Sequence, residues 1–124
     1  MAKRRCIMRE YLMMAKALAD ESRVRILKLL EQGEMCVCQI MAVIGLKQST
    51  ISKHLSILKT AGLAENRKDG IWAYNRLAQE RVNPYALAML DSLRTWLNDD
   101  KTVLADRTKW DEVKKIDINI LCKK

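Results

Sequence analysis

Met35-Cys36-Val37-Cys38-Gln39-Ile40-Met41-Ala42-Val43-Ile44-Gly45-Leu46-Lys47-Gln48-Ser49-Thr50-Ile51-Ser52-Lys53-His54-Leu55 is the stretch on which the fold turns. Its first half is a short apolar segment closed by Gly45, a residue suited to a helix C-cap or turn. The second half starts a new pattern, with Ile51, Leu55 and then Leu58 on one side and Gln48, Ser49, Ser52, Lys53 and Ser56 on the other. Two short helices joined by a tight glycine turn form the helix-turn-helix pattern, whose second helix enters the DNA major groove.

Upstream, Ile7, Tyr11, Met14 and Leu18 recur at helical spacing, which predicts a helix over residues 7–18. Asp20-Glu21-Ser22 offers a cap for a second helix, whose apolar face of Val24, Ile26, Leu27, Leu29 and Leu30 ends at Gln32-Gly33. Downstream, Asp69-Gly70 sits between two β-rich runs in residues 63–77, a strong hairpin signal. Asn83-Pro84 then opens a fifth helix carrying Tyr85, Ala86, Met89, Leu90, Leu93, Trp96 and Leu97, an apolar face too wide for one partner helix. The fold class is therefore mainly α with a two-stranded β-hairpin. It is a winged helix-turn-helix of four helices, two strands and a helix, expected to form a homodimer through its first and fifth helices.

Residues 99–124 read differently. Residues 101–110 show no helical period, and Ile116, Ile118 and Ile120 alternate with Asp117 and Asn119 as a strand would. The expected organisation is a DNA-binding and dimerisation domain over residues 1–98 and an extension over residues 99–124.

Composition agrees with one compact domain, since 49% of the 124 residues are hydrophobic and only four Gly and one Pro interrupt them. The 23 Lys and Arg against 15 Asp and Glu leave a net charge of +8, which points to a polyanionic partner, nucleic acid first. No run approaches the roughly 20 apolar residues of a membrane span, and residues 1–10 lack a signal-peptide apolar region. A cytoplasmic protein without membrane contact is expected. In that reducing compartment the four cysteines read as thiols for metal or redox chemistry, not as a disulfide framework.

Three motifs in order, residues 16–27 (KALADESRVRIL), residues 34–38 (EMCVC) and residues 49–55 (STISKHL), resemble the ArsR/SmtB repressors. The resemblance spans about residues 15–78. It implies a repressor of a resistance operon that needs no cofactor to bind double-stranded operator DNA and leaves it when a soft metal or metalloid binds.

On the recognition helix, Gln48 can pair bidentately with adenine, Ser49, Thr50 and Ser52 can serve bases or phosphates, and Lys53 can reach guanine or phosphate. His54 lies near the apolar border; the resemblance makes it a DNA contact, while its position equally suits packing. On the wing, Arg67 and Lys68 are the better phosphate-binding pair, with Arg76 on the return strand.

Cys36 and Cys38 are soft ligands two residues apart, suited to As(III), Sb(III) or another thiophilic ion. A regular helix would set them about 200° apart, so sharing an ion demands a frayed first turn. Arsenic-responsive relatives carry a third cysteine three residues further on, where this chain has Met41. The third ligand is open between Cys6, Cys122, a small-molecule thiol and water. Cys6 matches the N-terminal cysteine of cadmium and lead sensors in the family, and Cys122 reads as a tail thiol. The zinc sensors' Asp and His site is absent, because His54 is the single histidine.

Two other readings stand beside this one. A thiol-based redox-sensing repressor would use the same cysteines to form a disulfide or sulfenic acid. A thiol oxidoreductase would be an enzyme, but the Cys-x-x-Cys spacing and a βαβ pattern are missing, so no enzymatic activity is expected.

Overall fold

The computed structural model describes residues 7–80 and 82–122. Its order is α1 (Ile7–Leu18), α2 (Glu21–Leu30), α3 (Val37–Ile44), α4 (Gln48–Thr60), β1 (Ala64–Asp69), β2 (Trp72–Leu77), α5 (Pro84–Leu93), α6 (Lys101–Val113) and α7 (Ile118–Leu121). The predicted winged helix-turn-helix is present, with two further helices after it.

Each boundary has a local cause. Asp20 caps α2 by accepting from the Arg23 amide, and Asn83 caps α5 by accepting from the Tyr85 amide, with Pro84 in the first turn, where a missing N–H costs nothing. Gly45 ends α3 in the left-handed region, at φ 84°, which lets α4 start three residues later at its own angle. Strands β1 and β2 pair antiparallel from Ala64 with Leu77 to Asp69 with Trp72. The hairpin turn is therefore Gly70-Ile71, one residue beyond Asp69-Gly70, with the positive φ on Gly70.

The core is one cluster. Ile26, Leu27 and Leu29 of α2, Ile40 of α3, and Ile51, Leu55 and Leu58 of α4 are fully buried in it. The apolar stripes read in residues 24–30 and 51–58 thus face inward, and the polar side of α4 is left to solvent.

Residues 99–124 correct the sequence reading. Residues 101–113 are helix α6, N-capped by Asp100, which accepts from the Thr102 and Val103 amides. It lies against α2 and α3 and buries Val103, Asp106, Trp110 and Val113. The expected strand at Ile116, Ile118 and Ile120 is instead a turn followed by the short helix α7, which rests on α3. Asp106 explains the missed period. It occupies a stripe position, and its carboxylate takes two hydrogen bonds from Arg25, at 2.9 and 2.8 Å. That hydrogen bond, more than burial opposes it, raises the Arg25 pKa further above its ordinary value.

Helix α5 is shorter than its apolar pattern. It stops at Leu93, Leu97 adopts φ 63°, and Trp96 and Leu97 are exposed. Helix α1 presents Ile7, Met8, Tyr11, Leu12 and Met13 to solvent beside α5, which it meets through an edge-to-face Tyr11–Tyr85 contact.

Candidate thiolate centre and nucleic-acid interface

The chain direction at Cys36 decides the geometry of the cysteine pair. Cys36 is the N-cap of α3, with extended backbone (φ −82°, ψ 166°), while Cys38 lies inside the first turn. The 200° separation of a regular helix therefore does not apply, and no frayed turn is needed. The Cys36 amide, unsatisfied by the helix, is held by the Gln39 side-chain oxygen at 3.0 Å.

A third sulfur joins the pair. The sulfurs of Cys36, Cys38 and Cys122 lie within 4.8 Å of one another. Cys36 is buried, with its Sγ 3.7 Å from that of Cys122, and Cys38 and Cys122 are joined as a disulfide. This corrects two expectations: Cys122 is not an idle tail thiol, and the cysteines are not all free. The cause is α6, which turns the chain back along α3 and brings residue 122 to its start. The Cα atoms of Cys38 and Cys122 are 5.4 Å apart, within the span a disulfide bridges. Cys6, the N-terminal alternative, lies outside the described residues.

Two sulfurs bound at about 2.3 Å to one ion sit at most about 4.6 Å apart. The three sulfurs are thus near the spacing that a shared soft ion requires, once the Cys38–Cys122 bond is reduced. Among the described residues no fourth Cys, His, Asp or Glu joins the group. Three donors suit a three-coordinate ion with a lone pair, such as As(III), better than a tetrahedral one.

The centre is connected to the wing. Met35, the residue before Cys36, exchanges backbone hydrogen bonds with Asn75 of β2, at 3.0 and 2.7 Å, and its carbonyl also accepts from the buried Asn75 side chain at 3.1 Å. It is connected to the recognition helix as well: Cys38, Met41 and Cys122 line one open cleft with Gln48 and Ile71. This convergence has no signal in the sequence, because 84 residues separate Cys38 from Cys122.

On α4 the nominated residues Gln48, Ser49, Ser52 and Lys53 are exposed, and Thr50 is half-buried. His54 is different. Its ring is half-buried, with Nδ1 3.3 Å from the Arg23 guanidinium and 4.0 Å from the Asp20 carboxylate. The structure thus places it against Arg23 of α2 and the Asp20 cap.

The two wing cations differ in their surroundings. Arg67 and Lys68 are neighbours on β1 and point to opposite faces. Arg67 donates to Glu34 at 2.6 Å, lies over the Tyr74 ring, and has its pKa raised, chiefly by the Glu34 hydrogen bond. Lys68 is exposed, with no ion pair among the described residues, and Arg76 is paired with Glu65 at 2.8 Å.

An amphipathic second helix with an exposed polar face, a basic hairpin and a sulfur cluster ahead of that helix define a winged helix-turn-helix regulator. Residues 20–66 match the family described as bacterial regulatory protein, arsR family. The chain is 40% identical over 96 residues to the arsenic resistance transcriptional regulator ArsR1 of Pseudomonas putida, covering 73% of this chain and 74% of that one. It is 37% identical over 91 residues to the arsenical resistance operon repressor of Escherichia coli K12, covering 73% and 75%. Its fold is similar to the homodimeric winged helix-turn-helix DNA-binding domain Mb0332 of Mycobacterium bovis, with TM-score 0.61, 32% identity and coverage of 80% and 94%. This chain belongs to the ArsR family of bacterial regulatory proteins.

Proposed function

We propose that this chain represses a resistance operon as a cytoplasmic homodimer on double-stranded operator DNA, and is released when arsenite or antimonite binds the Cys36 and Cys38 thiolates. The observation that carries this reading is the convergence of the Cys36 and Cys38 sulfurs at the start of α3, directly ahead of the recognition helix. An ion there acts on both DNA-reading elements: on the wing through the Met35–Asn75 bonds, and on α4 through the Gly45 turn. A coupling of about 1–3 kcal/mol, a 5- to 150-fold change in affinity, is the usual range for such a switch. The exposed apolar side of α1 supplies the dimer contact, which sets two recognition helices on half-sites about 34 Å apart.

The test is fluorescence anisotropy of labelled operator DNA with the reduced protein, titrated in parallel with arsenite, antimonite, cadmium and hydrogen peroxide. Release by the two metalloids at micromolar concentration is expected. Release by cadmium alone would reassign the inducer, and release by peroxide alone would make the chain a redox sensor.

Residue roles on the DNA face follow from exposure and chemistry. Lys53→Ala should weaken operator and random DNA alike and lower the slope of log affinity against log salt by about one unit, as for one phosphate contact. Gln48→Ala should cost about 1–3 kcal/mol on the operator and little on random DNA. Equal losses on both DNAs would move Gln48 to the backbone. Lys68, free of any ion pair among the described residues, is the stronger wing contact, while Arg67 must first give up Glu34.

A further inference from the structure

We infer that Cys122 is the third ligand of the inducer, and that closing this three-sulfur site docks α7 in the cleft beside the recognition helix. The inference rests on the arsenite-release reading above and adds to it the remaining ligand and the part of the chain that moves.

Three observations converge. The Cys122 sulfur is 3.7 Å from that of Cys36 and shares one cluster with Cys38, so the same chain supplies all three donors. Met41 stands half-buried in the same cleft, but a thioether has no proton to lose and does not replace a thiolate. Helix α7 has little else to hold it. It is four residues long, none of them buried, with Ile120 largely exposed and Leu121 its main apolar contact. So short a helix has no stability of its own. Its position on α3 therefore depends on the bond made by Cys122.

The chemistry balances without a change in arsenic oxidation state. A dithiol reductant first cleaves the Cys38–Cys122 disulfide, giving two thiols and leaving as its own disulfide. Arsenous acid, As(OH)3, then exchanges its three hydroxyl groups for the three thiols, forming three As–S bonds and releasing three water molecules. Arsenic stays As(III), with its lone pair as the fourth vertex. The loaded state holds residue 122 where the disulfide holds it in this structure: in the cleft lined by Gln48 at the start of the recognition helix and Ile71 at the wing turn. A tail fixed there stands between the two elements that DNA must meet together. In the reduced, unloaded state that tether is gone.

The full-length, dithiol-reduced protein is titrated with arsenite under argon as wild type, Cys122→Ser and Cys6→Ser. Arsenic X-ray absorption reads the number of sulfur neighbours, operator anisotropy reads release, and hydrogen exchange reads residues 118–122. Wild type and Cys6→Ser should show three sulfurs, and Cys122→Ser two sulfurs and one oxygen. Even the partners of metal ligands are worth about 10–100-fold in affinity, so Cys122→Ser should need at least about tenfold more arsenite for half-release. In wild type, exchange at residues 118–122 should slow with arsenite toward the rate of the oxidised protein, and it should not slow in Cys122→Ser. Three sulfurs and parental sensitivity in Cys122→Ser overturn the inference while leaving the repressor reading intact, and a Cys6→Ser loss then names the true ligand. Unchanged exchange at residues 118–122 in loaded wild type overturns the docking of α7. A wild type that binds no arsenite refutes the repressor reading itself.

Discussion

The double substitution Cys36→Ser, Cys38→Ser leaves operator affinity close to that of the parent and reduces the 5- to 150-fold arsenite effect to none. Both halves of this expectation have a physical basis. Neither residue lies on the exposed face of α4, so no DNA contact is lost. Cys36 is the N-cap of α3, and serine is a better N-cap than cysteine, so the helix start survives the change. A hydroxyl is a hard, protonated donor at neutral pH and does not replace a thiolate toward As(III). The variant also cannot form the Cys38–Cys122 disulfide, so its thermal stability is compared with that of reduced wild type. The measurement is operator anisotropy with and without arsenite. If the double variant still leaves DNA at the parental inducer concentration, the α3 thiolates are not the sensor.

Lys28→Ala should lower folding stability by about 3–5 kcal/mol, the range for removing one partner of a buried ion pair. Lys28 has only 1% of its surface exposed. Its ammonium has three protons and uses all of them. They go to the Leu93 carbonyl at 2.8 Å, the Asn98 side-chain oxygen at 3.1 Å and the Glu31 carboxylate at 2.9 Å. Leu93 is the last residue of α5, and its carbonyl accepts from the Trp96 amide at 3.0 Å as well as from Lys28, which adds a charge opposite to the helix dipole. Arg107 of α6 reaches the same Glu31 and Asn98, at 3.0 and 3.1 Å, which ties α2, the end of α5 and α6 into one network. Without Lys28 the Leu93 carbonyl keeps only the Trp96 amide, and Glu31 and the Asn98 side-chain oxygen keep only Arg107. Urea unfolding measures the loss. As a contrast, Lys114→Ala breaks only the exposed pair with Asp111 and should shift stability by less than about 1 kcal/mol. A loss of under about 1 kcal/mol for Lys28→Ala as well would mean that water reaches the network.

The local code was legible wherever a segment's structure depends on its own residues. The α1 stripe of Ile7, Tyr11, Met14 and Leu18, the Asp20 and Asn83 caps, the Gly45 turn and the Gly70 hairpin all act within a few residues, and each was found at the predicted place or one residue from it. The same holds for the polar face of α4, because burial of Ile51, Leu55 and Leu58 forces Gln48, Ser52 and Lys53 outward. The motifs also identified the family, since they recur in order and spacing.

What escaped the sequence was everything made by pairs far apart in the chain. Helix α6 was hidden because Asp106 breaks its apolar stripe, and only Arg25, 81 residues away, makes a buried carboxylate tolerable there. Buried Lys28 looks like any surface lysine until Leu93 and Asn98 close around it. The apparent alternation of residues 116–120 dissolved because that segment does not join the hairpin and instead leans on α3. The amino-acid sequence by itself determined the winged helix-turn-helix, the exposed polar face of α4 and the close cysteine pair Cys36 and Cys38. The tertiary structure alone decided that Cys36 stands outside the helix and that Cys122 meets it, because periodicity records which side of a segment is apolar but not which distant segment will lie against it.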